Sequence, residues 1–138
     1  MSVDPATDAV VGRYGLPGCD GAHGVQTDVP EQHRVFVTCE GNNKLLVLDL
    51  RTKTVTSAAD VGETPDVLTL DPAFHRLYIA AESGPLTIFD VGGAMRLLAQ
   101  GDAGPNAHSV AVDPVTHVVY LPLKDVGGRP LLRELIAK

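Results

Sequence analysis

Two histidines and an aspartate, His23, Asp66 and His108, each stand five residues ahead of another aspartate, Asp28, Asp71 and Asp113. Imidazole nitrogens with a carboxylate oxygen form a donor set suited to a divalent cation, and three protein ligands leave positions open for water or substrate. Glu40 and Glu82 lie 17 and 16 residues beyond His23 and Asp66 and could serve as acceptors that orient the ligands. With a cation held there, Lewis-acid activation of water for hydrolysis of a lactone or similar ester is the natural chemistry. Without one, His23 or His108 could still act as a base. A plainer reading competes, in which polar residues at strand starts face water and a histidine bonds a nearby loop carbonyl. Both readings concern residues 42 or 43 positions apart in the chain, so the elements that carry them decide whether they meet.

Those elements repeat. Thr27-Asp28 with His33-Arg34-Val35-Phe36-Val37 returns as Leu70-Asp71-Pro72 with His75-Arg76-Leu77-Tyr78-Ile79, and again as Val112-Asp113-Pro114 with His117-Val118-Val119-Tyr120-Leu121. Short segments rich in Val, Leu, Ile, Thr and Tyr, punctuated by Gly and Pro, read as strands. A period of roughly 40 to 45 residues is the length of one four-stranded propeller blade, which cannot bury its apolar face alone. The expected fold is all-β, a β-propeller portion of about three four-stranded blades with half-blades at the two ends. The predicted divisions are a partial blade over 1–22, blades over 23–64 and 65–106, and a partial blade over 107–138.

In the clearest unit the spacing predicts an innermost strand over 66–70, a turn over 71–75, and further strands over 76–81, 86–91 and 95–100. The preceding unit reads the same way over 23–27, 34–39, 44–50 and 54–59. An outer strand is expected over 9–14, inner strands over 109–112 and 118–123, and a third over 131–136. In this arrangement His23, Asp66 and His108 begin successive inner strands and face one mouth of a central channel, to which Glu40 and Glu82 return. His33, His75 and His117 fall in turns at the opposite mouth, where solvent and turn chemistry account for them better than ligation.

The run Gly62 to Pro72, continuing through His75-Arg76-Leu77-Tyr78-Ile79 to Leu86-Thr87-Ile88-Phe89-Asp90, resembles the repeat of the YVTN-type β-propeller family. Asp4, Asp49 and Asp90 match the aspartate that closes the third strand of that repeat. The namesake tetrapeptide reads Phe36-Val37-Thr38-Cys39, Tyr78-Ile79-Ala80-Ala81 and Tyr120-Leu121-Pro122-Leu123, so no copy keeps its Asn. The resemblance implies a propeller, seven-bladed and exported in many members and lactonase-like relatives. A periplasmic or secreted parent is compatible with it, and the activity stays open.

A closed ring needs about four to eight blades. The expected partners are therefore further copies of the chain that complete a ring, or the remaining part of a longer protein, with a small molecule or protein as ligand. The sequence carries a formal net charge of −6 and no block of Lys or Arg, which argues against nucleic acid. No run approaches the ~18 apolar residues of a membrane span, and the first residues show no secretory signal as written. Cys19 and Cys39 leave three readings open: a disulfide, two buried free thiols, or thiolate ligands. The sequence holds no Gly-x-Ser-x-Gly elbow and no phosphate-binding glycine loop, and Ser109 beside His108 points to the opposite face of its strand. The leading expectation is a binding or scaffold module that recognises a small molecule, metal or protein at one channel mouth. The alternatives are a metal-assisted hydrolase of a lactone or similar ester, and an inactive fragment of a longer propeller.

Overall fold

A computed structural model describes residues 1–28 and 32–136 as four antiparallel sheets. The first is a hairpin of β1 (Ser2–Asp4) and β2 (Ala9–Gly12). Next come β3 (Ala22–Asp28), β4 (Arg34–Cys39), β5 (Lys44–Asp49) and β6 (Thr54–Asp60), paired in that order. The same meander returns as β7 (Pro65–Asp71), β8 (Arg76–Ala81), β9 (Pro85–Asp90) and β10 (Arg96–Asp102). The last sheet is β11 (Ala111–Val112), β12 (Val118–Leu123) and β13 (Leu131–Ile136). Inner strand β3 lies against β7, and β7 against β11, so successive blades share an inner wall. This is the all-β, partial-propeller architecture that the repeat predicts.

Burial peaks in the middle of the blades. The second strands are the most buried, β4 from Phe36 to Cys39 and β8 from Leu77 to Ala81, whereas outer β10 is exposed along its whole length. One apolar cluster, built on Phe36, Leu45, Val47, Leu68, Leu77, Ile79 and Phe89, fills the space between the first two full blades. A second, with Tyr78, Leu86, Val110, Val119, Leu121 and Leu123, fills the space between the second blade and the last sheet. The second full blade thus supplies one face to each of two cores, and its neighbours supply the other, as expected of a blade that cannot bury its apolar faces alone.

The repeated aspartates are turn formers. Asp49 Oδ1 accepts the N–H groups of Arg51 and Thr52, Asp90 Oδ1 accepts that of Gly92, and Asp4 Oδ1 accepts that of Ala6. The backbone N–H of Thr52 is the leading cause that holds the Asp49 carboxyl below its ordinary range, and that of Gly92 does the same for Asp90. His33, His75 and His117 all sit at positive φ, 51°, 51° and 60°, a region that tolerates His better than most residues. The carbonyls of His33 and His75 accept the N–H groups of Leu50 and Val91, which ties each turn to the end of its own third strand.

Three expectations are corrected. The strand predicted over 9–14 stops at Gly12, because the Tyr14 ring folds back over Gly12 and its hydroxyl meets Ser2 Oγ at 3.0 Å. The inner strand predicted over 109–112 pairs only at Ala111–Val112, since the backbone just before it turns toward the neighbouring blade, with His108 O accepting Val67 N–H at 3.2 Å. His117 is not a solvent residue: its Nδ1 lies 2.8 Å from Oδ2 of Asp71, a fully buried carboxylate of the adjacent blade, and its ring stacks on Phe74.

Candidate functional site at the channel mouth

The register of the inner strands slips at equivalent places, between Ala22 and Val25 in β3 and between Pro65 and Leu68 in β7. A bulge leaves a residue out of the ladder and re-aims side chains. His23 and Asp66 occupy these two bulges, so the same irregularity in successive blades turns both side chains toward the shared mouth. His108, ahead of the short β11, is brought to the same place by its carbonyl bond to Val67.

The side chains form a chain of contacts. Glu40 Oε2 meets His23 Nδ1 at 2.9 Å, His23 Nε2 lies 3.4 Å from Asp66 Oδ1, and Asp66 Oδ2 meets His108 Nδ1 at 3.0 Å. Asp66 is 13% exposed and the two imidazoles 49% and 43%, so one largely buried carboxylate anchors two rings that reach toward solvent. Asp66, Glu82 and His108 place one ligand atom each within 4.8 Å of one another. The structure therefore sets Glu82 beside Asp66 and His108. His23 meets the other carboxylate oxygen of Asp66, and both of its ring nitrogens face carboxylates.

That placement gives the histidines different tasks. The hydrogen bond to Glu40, and then the charge of Asp66, raise the His23 imidazole above its ordinary value near 6.5. His23 is thus suited to be a cation that balances its two carboxylates. His108 donates Nδ1–H to Asp66 and keeps Nε2 for a ligand or a proton.

Glu40 opens a short 3-10 turn, Glu40–Asn42, that the incoming loop fastens down. Glu40 N–H donates to Gly21 O and Gly41 N–H to Asp20 O, and Asn42 Nδ2 donates to Gly18 O. Cys19 and Cys39 are joined in a disulfide across the same pair of segments.

Thr38 and Gly24 also belong to the site, and nothing in the repeat flags them by residue type. Gly24 N–H donates to Thr38 Oγ1 at 2.8 Å, and that hydroxyl donates to Asp66 O at 3.0 Å. A Cβ on Gly24 would lie 2.0 Å from Asp66 O. The available signal was their departure from the repeat, since the equivalent residues are Val67 and Ser109 for Gly24, and Ala80 and Pro122 for Thr38.

Comparison with solved structures places the chain among β-propellers. It superposes on Kuenenia stuttgartiensis hydrazine synthase with a TM-score of 0.67 at 17% identity, over 83% of this chain and 32% of that one. A putative 6-phosphogluconolactonase from Bacteroides uniformis gives 0.64 at 16% identity, over 80% and 36%. The β-propeller domain of Myceliophteria thermophila Cps50 (Swd1) gives 0.62 at 14% identity, over 85% and 44%. At such identities the likeness is one of fold, and the chain spans less than half the length of each of these proteins. No model of a known protein family matches the sequence, and no curated protein matches it.

Proposed function

We propose that the chain is part of a propeller binding module whose channel mouth takes a divalent cation on Asp66, Glu82 and His108. The observation that carries this reading is the convergence of those three ligand atoms within 4.8 Å. Two carboxylates offset the charge of a dication, and a nitrogen donor beside two oxygens favours a borderline transition metal over calcium. Asp66 would hold the cation while its carboxylate also faces His23, whose other nitrogen rests on Glu40. The YVTN-type repeat residues support the same architecture, and the disulfide accords with an oxidising compartment. Further sequence or further copies of the chain supply the blades that close the ring.

Metal binding is tested on purified protein stripped with chelator and titrated with Zn²⁺ or Mn²⁺ by calorimetry. One equivalent binds to the parent protein, and His108→Ala and Glu82→Gln each weaken binding at least about tenfold, the usual scale for loss of a ligand or its support. No binding, or binding unchanged in both variants, overturns the reading.

A second reading, metal-assisted hydrolysis of a lactone or similar ester at this mouth, is favoured by the same three ligands, which would leave positions on a bound cation open for a water to be activated. It requires lactone turnover by the metal-loaded protein that His108→Ala abolishes. Cation binding without turnover leaves the binding module.

A further inference from the structure

We infer that Thr38 is a positioning residue that sets the distance between His23 and Asp66 by inserting its hydroxyl into the seam between two blades. The inference rests on the cation site proposed above and assigns the part of the fold that assembles it.

The inner strands are bonded differently at the two junctions. Where β7 meets the last sheet, Val67 N–H donates directly to His108 O at 3.2 Å. By the repeat, the matching bond where β3 meets β7 would run from Gly24 N–H to Asp66 O. Here the Thr38 hydroxyl stands between them, taking the Gly24 N–H at 2.8 Å and donating to Asp66 O at 3.0 Å. Gly24 O is 3.5 Å from the same hydroxyl, so the shorter bond to Asp66 takes the single proton. Thr38 is fully buried, and both groups that it satisfies belong to backbone flanking or forming the site.

Gly24 makes the insertion possible, since any Cβ there would drive into Asp66 O. The hydroxyl fixes the chain on either side of it: His23 immediately precedes Gly24, and Asp66 carries both the acceptor carbonyl and the carboxylate shared by the two imidazoles. The equivalent positions, Ala80 and Pro122, have no hydroxyl. This linkage is therefore particular to the junction where an imidazole must stand 3.4 Å from the shared carboxylate. A buried donor and acceptor left without Thr38 would seek each other, and the two strands would re-register locally.

The test compares Thr38→Val, which keeps the shape without the hydroxyl, with Thr38→Ser, which keeps the hydroxyl. Thr38→Ala, the residue that the next blade uses, serves where Val does not fold. Zn²⁺ affinity is measured on folded protein alongside urea melts, and the ring nitrogens of His23 and His117 are followed by long-range ¹H–¹⁵N NMR without metal. Loss of the hydroxyl weakens Zn²⁺ binding about tenfold, as for other groups that orient ligands. It also moves the His23 resonances and leaves His117 in place, while Thr38→Ser stays within about twofold of the parent on the same scale. Parent-like affinity and an unmoved His23 in the hydroxyl-free variants would overturn the inference. If the parent protein binds no Zn²⁺, the cation reading fails by itself, and the His23 resonances alone decide the role of Thr38.

Discussion

The bond between His117 and Asp71 offers the sharpest test of how the blades hold together. Asp71 is fully buried, and its Oδ1 accepts the N–H groups of Ala73 and Phe74 at 3.0 and 3.3 Å. Oδ2 depends on His117 Nδ1, 2.8 Å away in the next sheet. His117→Ala strands that oxygen, and a hydrogen bond to a charged group is worth about 1.5–3 kcal/mol. Loss of the ring stacked 4.1 Å from Phe74 adds about 0.5 kcal/mol. The expected cost is about 3 kcal/mol, which for a urea slope of about 2 kcal/mol/M moves the midpoint down by about 1.5 M. His75→Ala is the control, because His75 shares the left-handed backbone at φ 51° and its ring has no such bond among the described residues. The carboxylate that would match Asp71 is Asp28, and it is taken by Arg34, which also donates to Val91 O across the same blade junction. Both variants carry the same backbone cost, so their difference isolates the inter-blade bond. Melts followed by far-UV circular dichroism suit a chain without tryptophan. Equal midpoints for the two variants would refute the clamp.

Two other predictions concern the mouth. The folded state holds the His23 proton more tightly than the unfolded chain does. The stability from the His23 contacts is therefore full below the unfolded value near 6.5 and fades as pH rises through the raised folded value. In Glu40→Gln the NMR titration midpoint of His23 falls back toward the ordinary value, and an unchanged midpoint would show that Glu40 is not the main cause. Removing the disulfide with Cys19→Ser and Cys39→Ser opens a crosslink between residues 20 apart, worth about 3 kcal/mol by chain entropy. A loss below about 1 kcal/mol would instead assign the loop to its backbone bonds from Glu40 and Gly41.

Much of the frame was written in local pattern. Strands over 34–39 and 76–81 coincide with β4 and β8, and the strand over 131–136 coincides with β13, because alternation and turn residues act within a few positions. The row of His23, Asp66 and His108 was also legible, since it follows from counting back from repeated aspartates. What stayed hidden depends on groups far apart in sequence. His117 reaches Asp71 across 46 residues, and Asp71 carries no mark of burial in its own neighbourhood. The separate tasks of the two imidazoles were hidden as well, because the bulges in β3 and β7 aim side chains by a slip in pairing that residue type does not announce.

The repeat and the chemistry pull in different directions at the mouth. A perfect repeat would present the same side chain from every blade, and like charges on one axis repel. Here the equivalent position, five residues before the repeated aspartate, alternates His23, Asp66, His108, so each neighbour supplies the opposite character. The position after the second strand reads Glu40, Glu82, Lys124, so the third member of that row supplies a cation where the first two supply carboxylates. Acidic density therefore concentrates around Asp66, which touches both imidazoles, with Glu82 beside it. The repeat puts matched positions around a common wall, and divergence at Gly24, Thr38, Asp66 and Lys124 makes one junction unlike the next. A site at a particular blade seam, rather than a ring of equivalent sites, is what that divergence produces.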